Sequence, residues 1–92
     1  MERIVIDMEH LNPTAADMAD TIKSAAKAAG LSQRDLANKA GIPTTTLNRK
    51  LNSGAPLHWN ELRAIADAIG RTVSSLAAET EVRLAAERAS AA

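Results

Sequence analysis

Apolar residues along most of the chain fall three and four apart, the spacing of one face of a helix, and the interruptions come at glycine and proline. The spacing predicts a first helix from Thr14, with Met18, Ile22, Ala25 or Ala26, and Ala29 on one side and Gly30 as its stop. Thr14 and Asp17 stand three apart as a capping box. Leu31-Ser32-Gln33-Arg34-Asp35 repeats that arrangement, so a second helix opens at Ser32, turns Leu36, Ala37 and Ala40 inward, and closes at Gly41. Ile42-Pro43 leads into the stretch from Thr44 to Leu51, where Leu47 and Leu51, four apart, must both point inward. Thr44, Thr45, Asn48 and Asn52 are then expected on the opposite face. Asn52-Ser53-Gly54-Ala55-Pro56 reads as loop. A fourth helix follows from about His58, with Leu62, Ile65, Ala66 and Ile69 inward, and Gly70 ends it. A fifth, from Thr72, carries Val73, Leu76, Thr80 and Leu84 along one side, and its alanine-rich end is expected to fray. Only Arg3-Ile4-Val5-Ile6-Asp7-Met8 has the β-branched run of a strand, and it ends before Asn12-Pro13.

Composition supports the helical reading and limits the size of the core. Of 92 residues, 20 are alanine, and the large apolar side chains are nine Leu, six Ile, three Val, three Met and one Trp. That is enough for one small core, and with neither Phe nor Tyr, few Val and abundant alanine an all-β fold is not expected. The absence of cysteine removes disulfides, thiolate nucleophiles and cysteine metal sites. No apolar run, Ile4-Val5-Ile6 included, exceeds three residues, far below the roughly 20 residues of a membrane span, so a soluble, cytoplasmic protein is expected. The expected architecture is all-α: residues 1–12 form a strand or arm, 13–78 the helical domain, and 79–92 an extension of the fifth helix.

Formal net charge is zero, but the charges are divided along the chain. Residues 1–20 carry Arg3 against five acidic side chains, whereas residues 21–54 carry Lys23, Lys27, Arg34, Lys39, Arg49 and Lys50 against Asp35 alone. Local field, more than the total, decides whether a face attracts a polyanion.

The informative stretch runs from Leu31 to Leu57. Two short helices meet through a turn at Gly41, and the second presents small polar residues that its core-facing leucines do not require; this is helix-turn-helix spacing. Gly41 is expected to keep a side chain out of the crossing of the two helices, and small Ala37 to let them approach.

The residues Leu31-Ser32-Gln33-x-x-Leu36-Ala37-x-x-Ala40-Gly41-Ile42, Thr46-Leu47-x-Arg49-x-Leu51-Asn52 and Glu61-Leu62-x-x-Ile65-Ala66-x-x-Ile69-Gly70 fall in register together. In them the chain resembles the Cro/phage-repressor (XRE-type) family of helix-turn-helix DNA-binding domains, from about Met18 to Leu76. The resemblance implies a five-helix, lambda-repressor-like domain. It also implies base contacts from Thr44, Thr45, Asn48 and Arg49, with Asn48 suited to adenine N6 and N7. Phosphate contacts are implied for Gln33, Arg34, Thr46 and Lys50. The chain departs from the family pattern at Asn52-Ser53-Gly54, where an acidic residue commonly precedes the glycine, and at Pro43, where a small polar cap is usual.

Other constellations are thin. His10 and His58 have no second ligand at metal spacing, and Ser74-Ser75 lacks a base, so no metal, cofactor or enzymatic activity is expected. Trp59 is expected at a partly buried core edge. The expected function is a sequence-specific, double-stranded DNA-binding transcriptional regulator, a phage-type or bacterial repressor acting as a homodimer on a palindromic operator. The alternative is an antitoxin-like module whose primary task is to bind another protein through the N-terminal strand or Trp59, with DNA binding secondary. Arg3, Ile4, Val5, Ile6 and Asp7 are the expected dimerisation element, pairing as an antiparallel intermolecular ribbon with each arginine opposite the partner's aspartate. The fifth helix, through Val73, Leu76, Thr80 and Leu84, is the alternative contact.

Overall fold

The first two helices start at pairs of side chains three residues apart. In the computed structural model, which describes residues 14–91, the Asp17 N–H donates to Thr14 Oγ1 (3.2 Å) while the Thr14 N–H donates to Asp17 Oδ2 (2.9 Å). This opens α1 (Ala15–Ala28) by satisfying amides that have no partner within the helix. Ser32 and Asp35 do the same for α2 (Gln33–Ala40), at 3.0 and 3.1 Å. The helices α3 (Thr44–Ser53), α4 (Trp59–Ile69) and α5 (Val73–Ala91) complete an all-α domain of five helices. Thr72 Oγ1 accepts from the Ser75 N–H (3.0 Å) at the start of α5. The expected N-terminal strand and its dimerisation residues, Arg3 to Asp7, lie outside the described residues.

The core is assembled from one or two large residues per helix with alanines between them. Ile22, Leu36, Leu47, Ile65 and Leu76 are fully enclosed, with Ala19, Ala25, Ala26, Ala37 and Ala66 buried among them. Each enclosed Leu or Ile stabilises the fold by about 1.5–3 kcal/mol relative to an exposed one, and the alanines let helix axes come close enough for so few large side chains to fill the space. α2 packs on α3 and α4, while α1 lies against α3 and α5. Between α1 and α5 the hydroxyl of buried Thr80 lies 2.8 Å from that of buried Thr21 and 2.7 Å from the Leu76 carbonyl oxygen, so neither is left without a partner.

Four expectations change. Asn52 and Ser53 belong to α3 and not to a loop. Leu47 and Leu51 anchor that last turn, Ser53 Oγ donates to the Arg49 carbonyl (2.6 Å), and Gly54 closes the helix in the left-handed region (φ +70°). The reason for Gly41 is likewise conformational: a Cβ there meets nothing within 4 Å, but φ is +71°, which L side chains rarely adopt. Steric obstruction belongs to Gly54, whose Cβ would stand 3.0 Å from Ala16 Cβ. Trp59 is 63% exposed and so is not a core edge. Finally, Leu76 and Thr80 are buried within the chain itself, so that side of α5 is already occupied; the large apolar residue that α5 leaves outside is Val82.

Candidate nucleic-acid interface

The turn between α2 and α3 is fixed by backbone geometry before any ligand is considered. With Gly41 left-handed, the Ile42 N–H donates to the Ala37 carbonyl (3.0 Å), and Pro43 then opens α3 without a side-chain cap. Proline's constrained φ suits a helix entry, and the amide it lacks is one the helix would leave unpaired.

Leu47 and Leu51, fully buried, orient α3 and thereby sort every other side chain on it. The side chains turned fully outward are Thr45, Arg49, Asn52 and Ser53. Thr45, Arg49 and Asn52 stand at i, i+4 and i+7, one continuous polar stripe. Thr44 and Asn48 lie half-buried on one flank of the helix, and Thr46 and Lys50 half-buried on the other. Thr44 and Asn48 are therefore not on the face opposite the leucines, and Arg49 is at the centre of the exposed stripe. Gln33, the first residue of α2, is half-buried beside exposed Arg34.

Lys50 is engaged within the protein. Its Nζ donates to both oxygens of Glu61, at 2.8 and 2.9 Å, and the two side chains are only 13% and 19% exposed. Glu61 Oε1 also accepts from the His58 N–H (2.9 Å) at the opening of α4. The Lys50 ammonium, with the His58 N–H behind it, holds the Glu61 carboxyl below its usual range despite partial burial. Asp35 is also lowered, by the backbone N–H and hydroxyl of Ser32, which marks the firm start of α2.

Asn52, expected on the outward face, and Glu61 are the residues to which a reading of the sequence assigns no contact at this surface. The signal for Asn52 is its spacing from Thr45 and Arg49; for Glu61 it is the acidic residue three positions after His58, although nothing in the sequence names Lys50 as its partner. Among the described residues no group of three His, Asp or Glu side chains is placed to hold a metal ion, and no helix is long and apolar enough to cross a membrane.

Two short helices joined by a tight glycine turn, the second with an exposed polar stripe and supported by three more helices, define a helix-turn-helix domain. A family model described as a helix-turn-helix domain matches residues 17–78, more than half the chain, and the protein belongs to that family, in agreement with the Cro/phage-repressor resemblance. The domain class implies DNA binding. No curated protein and no solved structure matches the chain.

Proposed function

We propose that the protein is a sequence-specific transcriptional regulator, a repressor that places α3 in the major groove of duplex DNA as a homodimer on a two-fold operator. The observation that carries this reading is the exposed stripe Thr45, Arg49 and Asn52, held outward by the buried pair Leu47 and Leu51. Threonine offers a methyl to thymine and a hydroxyl to any base, asparagine pairs with adenine, and arginine with guanine O6 and N7. In this reading Thr45 and Arg49 are the principal base contacts, with Asn52 added and with Thr44 and Asn48 reaching the groove from the flank. Gln33 and Arg34 meet phosphate at the start of α2, and Thr46 and Lys50 lie on the side toward the backbone. A single unit reads only a few base pairs, which is why dimerisation on half-sites about one DNA turn apart belongs to the proposal. The site of action is the compartment that holds the DNA, the cytoplasm in a bacterium.

The test is binding to a library of random duplexes across a salt series. With about 6–8 phosphate contacts in a dimer, log K falls against log salt with a slope of roughly −5 to −7, and a defined operator is enriched. A flat salt response with no enriched sequence overturns the reading. The exposed Trp59 supports a second reading, a module that docks on another protein through α4. In that case Trp59→Ala abolishes the protein complex and leaves DNA binding intact.

A further inference from the structure

Among the described residues, the buried side-chain nitrogen or oxygen that lacks a hydrogen-bond partner is on α3: it is Oδ1 of Asn48. Asn48 as a whole is half-buried, and its Nδ2 is neither buried without a partner nor hydrogen-bonded to the protein. The amide is thus divided, one end enclosed on the flank of α3 and the other at the surface. An enclosed carbonyl without a partner destabilises the folded state, and asparagine is a poorer helix former than alanine. Asn48 is thus unfavourable to the free domain on both counts, and it stands on the helix proposed to enter the groove.

We infer that Asn48 reads DNA with one end of its amide only, an inference that rests on the DNA-binding function proposed above. Reading adenine uses both ends at once, the oxygen accepting from N6 and the nitrogen donating to N7. With Oδ1 enclosed, Asn48 offers a lone donor. A lone donor is satisfied by an acceptor that two bases share, either N7 of adenine and guanine or the keto oxygens of guanine and thymine. Asn48 therefore selects a pair of bases at its position, in place of the adenine that the family resemblance implies.

The experiment compares the full chain with Asn48→Ala, first by selection from random duplexes and then by affinity on every single-base variant of the selected site, with thermal denaturation of both proteins. The expected result is one operator position at which the parent accepts two acceptor-sharing bases and disfavours the others by about five- to tenfold, the scale of one hydrogen bond. Asn48→Ala accepts all four bases there and melts at a higher temperature. A strict adenine requirement that Asn48→Ala removes overturns the inference, because both ends then reach the base. Unchanged base preferences in Asn48→Ala also overturn it, whichever way the melting temperature moves. A parent protein that distinguishes no duplex from any other removes the DNA-binding function itself, a failure separate from these.

Discussion

Lys50 Nζ stands 2.8 Å from Glu61 Oε1 and 2.9 Å from Oε2, tying the last turn of α3 to the first turn of α4. The same carboxylate accepts from the His58 N–H, so one side chain both caps α4 and fixes the exit of α3. Because both partners are mostly enclosed, the pair lies between the exposed ion pairs that contribute little and the buried ones whose disruption is severe. Glu61→Gln is expected to destabilise the domain by about 1–2 kcal/mol, measured by chemical denaturation. Equal stability in the variant would mean that the contact has no energetic weight.

The Glu61 carboxyl, held below its ordinary value by Lys50 and the His58 N–H, links stability to acid. A carboxyl whose folded pKa is depressed contributes stability above its unfolded value of about 4.5 and loses it as pH falls through the folded value. Asp35 works in the same direction through Ser32. Denaturation from pH 6 down to pH 3, over roughly the range where carboxylates titrate, is expected to show falling stability, with a shallower fall in Glu61→Gln. Identical acid limbs in the two proteins would exclude Glu61 from the linkage.

Glycines 41 and 54 share a left-handed backbone but differ in surroundings, and the two effects are separable. Gly41→Ala meets only the conformational penalty, about 1–2 kcal/mol. Gly54→Ala adds a Cβ placed 3.0 Å from Ala16 Cβ and 3.3 Å from its Cα, so one of the two helices must shift. The expected order of melting temperatures is parent, then Gly41→Ala, then Gly54→Ala; the reverse order of the variants would show that α1 yields easily.

Those glycines also mark how far the sequence is legible. The helix starts at Thr14 and Ser32 are readable because the capping pair is local, three residues apart, and both form as expected. The core positions Ile22, Leu36, Leu47, Leu51, Ile65 and Leu76 are readable because helical periodicity is local too. The end of α3 is not, because Asn52-Ser53-Gly54 has loop composition, whereas in the fold Leu51 is buried, Ser53 bonds back to Arg49 and Gly54 closes the helix. The exposed stripe was open to sorting, since Leu47 and Leu51 place Arg49, and not Asn48, farthest from the core. The partnership of Lys50 with Glu61, eleven residues away, and the exposure of Trp59 depend on how α3 and α4 meet, which no local pattern encodes.

Substitutions on α3 and at the start of α2 are expected to separate by kind. Thr45→Ala, Arg49→Ala and Asn52→Ala each change which bases are preferred at one or two operator positions, by about 1–3 kcal/mol for a good contact. Gln33→Ala and Arg34→Ala lower affinity for operator and random duplex alike, and Arg34→Ala, which removes one phosphate contact from each protomer, makes the dimer's salt slope shallower by about two. Affinity measured on both kinds of duplex decides: five variants that weaken both equally would place the reading surface elsewhere than on α3.

The proposed dimer has two possible seats, and the fold reduces what the second can offer. α5 uses Leu76 and Thr80 in the chain's own core, leaving exposed Val82 and half-buried Leu84 as the apolar side chains of its later turns. Pairing through so narrow a strip is weak unless another element joins it. The segment Arg3-Ile4-Val5-Ile6-Asp7 is a β-branched run flanked by opposite charges, which suits an antiparallel pair about a two-fold axis, each Arg3 opposite the partner's Asp7. The first helix starts at Ala15 and the helix-turn-helix family match at residue 17, so removal of residues 1–9 is expected to leave a folded, helical domain. That truncated protein is expected to sediment as a monomer and to lose operator affinity while keeping its preference within a half-site. If it remains a dimer with unchanged affinity, the interface lies on α5, and Val82→Glu in the full chain then dissociates it. A full-length Val82→Glu protein that stays dimeric, beside a truncated protein that does not, assigns the assembly to the N-terminal segment.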